Sequence, residues 1–240
     1  MIYLKRIYIF ILIALLCISV FSVSLVVNNN LNASALSSAE ISKNYPTIII
    51  DAGHGGEDGG ASSKNGILEK DINLDIALTL EKMLLQGGYK VKMIRNTDVS
   101  IHNQDASTTR ERKVSDIHNR VKITDSDKNN ILVSIHQNHF SESKYFGTQI
   151  FYSKNHLNSQ ILAENIRKAV TSLLQPENTR KTKEASNVYL LDNISVPGVI
   201  VECGFLSNPD EAYMLSQKDY RDNIAYCIYL GIVEYIYLNY

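Results

Sequence analysis

Two histidines and two glutamates in this sequence are of the types, and in the places, that zinc chemistry needs: His54, Glu69, His136 and Glu202. A catalytic zinc takes three nitrogen or oxygen ligands and keeps a fourth position for water. His54, Glu69 and His136 supply that set. One more carboxylate would then take a proton from the activated water and hand it to a leaving nitrogen. Glu202 ends the apolar run Val199-Ile200-Val201, a setting that should raise its pKa toward that task.

Each residue also has a plainer reading. Glu69 alone is a helix N-terminal charge favoured by the dipole. Glu202 alone is a partner for a buried arginine, Arg95 or Arg120. His139 competes with His136 from an irregular loop, while His102, His118 and His156 sit in polar surroundings and read as solvent-facing. Other chemistries fit less well. The glycines from Gly53 to Gly60 are out of G-x-G-x-x-G register and no Gly-Lys-Ser/Thr follows, which argues against a phosphate cradle. No Gly-x-Ser-x-Gly is present. Cys203 follows Glu202 directly, so in a continuing strand the two side chains point opposite ways.

The elements that must position these residues alternate. Thr47 to Asp51 reads as a buried strand running into the glycine loop, and Ile72, Ile76, Leu80, Met83 and Leu84 lie on one helical face that Gly87-Gly88 ends. Tyr89 to Ile94 alternates as a strand. Arg110 to Thr124 is helical with Val114, Ile117 and Val121 inward, and Ile131 to Ile135 is a buried strand ending at His136. A strand over Gly147–Tyr152, a helix through Ile161, Leu162, Ile166, Val170 and Leu174, and a charged loop over Pro176–Glu184 come next. Short strands over Val188–Leu191 and Val199–Glu202 precede a closing helix from Asp219 to Leu238. This order predicts an α/β fold: a single-domain, twisted, mostly parallel sheet with helices on both faces. Parallel strands bring His54, His136 and Glu202 to one rim, with Glu69 on a loop leaving it.

The whole chain sets further bounds. Lysine and arginine number 24 against 25 aspartates and glutamates, a balance that offers nothing to nucleic acid. Lys5 and Arg6 precede an apolar run from Ile7 to Val27, either a secretory signal, with Ala33-Ser34-Ala35 as a cleavage site, or a membrane anchor. Leu16 is too bulky for lipidation at Cys17. Residues 1–27 are thus read as signal or anchor, 28–44 as a polar tether and 45–240 as the catalytic domain, placed outside the cytoplasm. With Cys17 in the export segment, Cys203 and Cys227 are too few for a disulfide scaffold and read as buried residues. The charge runs Arg110–Lys113 and Arg180–Glu184 read as solvated faces before contacts to an anionic wall.

Several separated segments together resemble the zinc-dependent N-acetylmuramoyl-L-alanine amidases that trim peptidoglycan. They are Ile50-Asp51-Ala52-Gly53-His54-Gly55-Gly56, Glu69 ahead of Asn73–Ala77, Arg95–Asp98, Arg120, Ser134–Asn138 and Pro197–Asn208. The resemblance runs from about Thr47 to the C-terminus and implies an amidase of phosphorylase/hydrolase-like fold. It implies one Zn2+ per chain on His54, Glu69 and His136, with Glu202 catalytic. The bond cut would be the amide between the lactyl group of muramic acid and L-alanine. Asn138 is expected to hold the His136 segment or contact substrate, and Asp51 to orient a ligand's second nitrogen from outside the metal shell. Thr124-Asp125 stands where the family often has Ala-Asn, and Gln137 and His139 flank Asn138 where small residues are commoner; these departures touch fine specificity. The bare domain behind one export segment looks most like the spore-cortex amidases, whose reaction leads to muramic-δ-lactam and germination. Expected partners are peptidoglycan, a protein activator and, through the N-terminus, the membrane. Two competitors are a zinc peptidase of the stem peptide and a wall-binding module lacking activity, or needing a partner to complete its site.

Overall fold

Ile48, Ile49 and Ile50 are wholly buried in the first strand, β1 (Thr47–Ala52). Such a β-branched run suits a strand covered on both faces. The computed structural model describes residues 45–240; the expectations for an export segment and tether lie outside the described residues. Within them, no helix is long and apolar enough to cross a membrane.

β1 lies between β2 (Val91–Met93) and β3 (Asn130–Asn138), parallel to both, and β3 continues in parallel to β6 (Gly198–Phe205). β4 (Gln149–Tyr152) runs antiparallel to β6, and β5 (Lys183–Glu184) pairs in parallel with β4. The six-stranded order is β2-β1-β3-β6-β4-β5. Successive side chains alternate between faces. Ile48, Ile50, Val133 and Val201 therefore pack under α1 (Glu69–Gln86), α3 (Asn158–Leu173) and α6 (Lys218–Asn239). Ile49, Leu132 and Ile200 pack on the other side with Ile117 and Val121 of α2 (Thr109–Thr124) and Leu190 and Leu191 of α4 (Tyr189–Asn193). The expected mostly parallel sheet with helices on both faces is the fold observed.

Some local expectations differ. Val188–Leu191 is not a strand: Val188 precedes α4, which Tyr189–Leu191 begin, and its carbonyl accepts from Asp192 N–H. A run of four apolar residues cannot distinguish a strand from a buried helical turn. Val114 is exposed on α2, and Ile161 on α3. β3 does not end at His136 but continues to Asn138, so His136 and Glu202 stand within paired strands. The charged loop contributes β5, and α5 (Pro209–Ser216) was not anticipated although Asn208 caps it and Pro209 opens it.

Candidate metal centre

Glu69 is the first residue of α1, and its carboxylate fills a ring of donors. Oε2 accepts from Ala61 N–H at 2.8 Å and Oε1 from Gln137 N–H at 3.0 Å. Two imidazoles converge on the same Oε1: His136 Nδ1 at 2.9 Å and His54 Nε2 at 3.3 Å. The three residues form a cluster whose ligand atoms all lie within 4.8 Å of one another. Burial favours a neutral Glu69, yet His136 and His54 hold its carboxyl far below the usual carboxylate range. Burial likewise disfavours a charged His54, but Glu69 and Asp58 outweigh it and raise its pKa to about 9. The cluster is a place prepared for positive charge.

Glycines make the convergence possible. A Cβ on Gly53 would stand 2.3 Å from the His136 ring. Gly60, at φ +66°, would bring a Cβ to 2.6 Å from Glu69 Oε2 and 2.7 Å from His54 Cδ2. His54 itself is left-handed at φ +63°, a conformation uncommon outside glycine. Arg120 fixes it there by donating to the His54 carbonyl at 2.8 Å. Arg95 donates to the carbonyls of Ala52 at 2.7 Å and Gly53 at 3.0 Å, so two buried guanidinium groups hold the loop from behind.

Glu202 sits opposite His136 across the β3–β6 ladder. Its Oε2 is buried without a hydrogen-bond partner, and burial raises its pKa to about 7. It is not the partner of Arg95 or of Arg120, whose guanidinium pairs with Asp51 and Asp116. Cys203 points away into the core, where burial pushes its thiol up and out of nucleophilic range.

Asp51 does not touch a ring nitrogen. Its carboxylate takes hydrogen bonds from Arg120 and from Ser134 Oγ, the latter at 2.6 Å. The expected role of orienting a histidine falls instead to Asp58, four residues after His54, which meets His54 Nδ1 at 2.9 Å. A carboxylate only accepts, so this contact places a proton on Nδ1 and leaves Nε2, which faces Glu69, as the nitrogen that would give up its proton to a metal. Lys113 Nζ holds the other Asp58 oxygen at 3.0 Å and Arg112 pairs with Glu57 at 2.9 Å. This end of the α2 charge run therefore clamps the glycine loop and is not merely solvated. Asn138 holds the end of β3 through its carbonyl, which accepts from Leu206 N–H at 2.8 Å.

The remaining histidines stand outside the cluster. His102 meets Ser100 Oγ at 2.8 Å and His156 Nδ1 accepts from Asn158 N–H at 3.2 Å; both are half-buried and occupied, not solvent-facing as expected. A cavity of about 230 Å³ opens beside His54 and His136, between the glycine loop and α2.

A zinc-type donor set, a buried carboxylate opposite one of its histidines and a parallel α/β sheet together define a hydrolase site on an α/β scaffold. The sequence matches the N-acetylmuramoyl-L-alanine amidase family over residues 48–234, and the chain belongs to that family. It is 36% identical over 188 residues to the germination-specific N-acetylmuramoyl-L-alanine amidase of Bacillus subtilis (strain 168), an alignment covering 78% of each protein. It is 32% identical over 191 residues to the amidase LytC of the same organism, covering 79% of this chain and 35% of that one. Among solved structures, the CwlD amidase of Clostridioides difficile, in complex with the GerS lipoprotein, has a TM-score of 0.78 and 39% identity. That match covers 81% of this chain and 100% of the other.

Proposed function

We propose that residues 45–240 are a catalytic domain that hydrolyses the amide between the lactyl group of N-acetylmuramic acid and L-alanine of the stem peptide. The zinc would be held by His54, Glu69 and His136, and Glu202 would carry the proton. The observation that carries the reading is the unpartnered buried Oε2 of Glu202, standing across one strand pair from a three-ligand cluster. The donor set fits zinc in kind, with nitrogen and oxygen ligands and no thiolate, and the glycines keep side chains clear of it. A zinc ion bound there supplies Lewis acidity toward the carbonyl and acidifies a water at its open position.

The protein's own residues do the rest. Asp58 keeps His54 in one tautomer. Glu202 accepts a proton as water's oxygen bonds to the carbonyl carbon, then returns it to the nitrogen as the C–N bond breaks. The products are a lactyl carboxylate and a peptide with a free L-alanine amine.

The likeness to a germination-specific amidase over most of both chains supports a spore-cortex substrate, with the product feeding muramic-δ-lactam formation. It also supports a location outside the cytoplasm, as does the charged and apolar N-terminal sequence. That the C. difficile relative was solved with a lipoprotein supports an activating protein partner here too.

Digestion of purified cortex and vegetative wall by the full chain, with zinc or chelator, tests this reading. New L-alanine amino termini, more abundant from cortex and abolished by chelator, are expected. Cleavage within the stem peptide would establish the peptidase alternative, and no cleavage with zinc and partner present would leave the wall-binding one.

A further inference from the structure

The substrate of the proposed reaction, on which this inference rests, leaves the scissile amide in two directions: a sugar strand and a peptide. The protein offers two unlike surfaces beside the cluster. One is the cavity between the glycine loop and α2, walled by the ion pairs of Arg112 with Glu57 and Lys113 with Asp58. Its wall combines these paired charges with the apolar side chains of Ile117, Leu190 and Ile200, suited to a peptide arm with its hydrogen-bonding groups and alkyl side chains. The other is aromatic and open.

A strand irregularity sets the position of that second surface. His136 pairs with Glu202, but two residues later Asn138 pairs with Phe205, three residues on. The extra residue in β6 falls at Cys203-Gly204, and such a bulge reverses the alternation of side chains beyond it. Cys203 faces the core under α1 and α6, and in a regular strand Phe205 would follow it to that face. The bulge puts Phe205 on the face of Asn138, His136 and Glu202 instead.

Phe205 is 1% exposed because Phe140 and Tyr145 cover it, with ring centroids at 5.9 and 6.3 Å. These two rings pack on each other at 5.3 Å while staying 52% and 36% exposed. The Arg180 guanidinium closes the far side of Phe205 at 4.7 Å, and Phe140 N–H donates to Ser207 Oγ at 3.1 Å. The exposed rings are thus backed by the strands that carry His136 and Glu202. Phe140 lies four residues beyond His136, on the order of 13 Å along an extended chain, in reach of sugars flanking the cleaved bond.

We propose that Phe140 and Tyr145, seated on Phe205, are the platform on which the glycan strand stacks. A pyranose offers an apolar C–H face and a polar edge. Exposed aromatic rings match the face, and Tyr145 O–H, Ser141 and Lys144 at the rim supply partners for the edge.

The test uses β-1,4-linked N-acetylglucosamine oligomers as a peptide-free probe, with binding to the full chain measured by calorimetry. Binding needs no turnover, so failure of the amidase reading would show in the digestion products and not here. Wild type should bind. Phe140→Ala/Tyr145→Ala should weaken binding about tenfold or more, the scale expected for lost aromatic stacking, and Phe140→Trp should retain it. On polymeric wall the double variant should raise KM with kcat unchanged. If the double variant melts early, Phe140→Ala alone carries the same expectation. Equal oligomer binding by wild type and a folded variant, or none by wild type, overturns the proposal. So does a wild-type dimer that the variant converts to monomer, which would make the patch a contact between copies.

Discussion

The two faces of one sheet have opposite characters here. Under α1, α3 and α6 alternate strand positions are apolar up to the rim: Ile48, Ile50 and Ala52; Ile131, Val133 and Ile135; Val199, Val201 and Cys203. On the other face the same strands begin apolar at Ile49, Leu132 and Ile200, then turn polar two residues later at Asp51, Ser134 and Glu202. Asp51 and Ser134 are satisfied by Arg120 and by each other, whereas Glu202 keeps an unpartnered oxygen. The difference separates two tasks. The first face supplies stability through burial, and the second keeps a buried polar row fully paired except where a proton must move.

Breaking the pairing on the second face should cost most. Arg120→Ala leaves Asp51, fully buried, without its cation, and should destabilise the domain by about 3–5 kcal/mol in chemical denaturation. The pH dependence gives the sign. Burial raises the Asp51 pKa, but Arg120 and Ser134 bring it below its ordinary value of 3.8. In wild type that stabilisation is present above 3.8 and lost as pH falls through the depressed value. Without Arg120 burial dominates, so the variant's deficit should be full at neutral pH and shrink on acidification as Asp51 takes up a proton. A deficit independent of pH would mean that Arg120 acts through packing alone.

On the first face, Leu80→Ala removes a fully buried side chain of α1 and should cost about 2–5 kcal/mol while leaving zinc affinity near that of wild type. A large loss of zinc would show that the two faces are not separable. The smallest effect belongs to Asp58→Asn. It should leave melting almost unchanged and weaken zinc binding about 10–100-fold, measured by competition with a chelating dye, because a neutral amide, which can turn either its oxygen or its NH2 to Nδ1, no longer fixes the His54 tautomer.

The two faces were unequally legible in the sequence. The apolar face follows from periodicity: Ile72, Ile76, Leu80 and Leu84 repeat at helical spacing and are all buried in α1. The cluster could be picked out because strand ends in parallel sheets gather distant residues, and His54, Glu69 and His136 do meet. What could not be read was the choice among equivalent carboxylates. Asp51 and Asp58 flank the same glycine loop, and only Arg120, 69 residues from Asp51, decides that Asp51 is structural and Asp58 faces His54. The bulge that turns Phe205 toward the site is invisible for the same reason, since register belongs to a pair of strands and not to one. By contrast α5 was legible in Asn208-Pro209-Asp210-Glu211, a capping residue, proline and two acids, and was missed only for want of apolar periodicity.

The account stands most directly on Glu202. Zinc content and amide turnover should be measured together on Glu202→Gln, which keeps shape and removes the base. One zinc per chain bound as tightly as in wild type, with kcat lowered about 10²–10⁴-fold, is the result predicted for a proton carrier beside an intact metal cluster. Turnover near the wild-type rate, or loss of zinc along with activity, would contradict it.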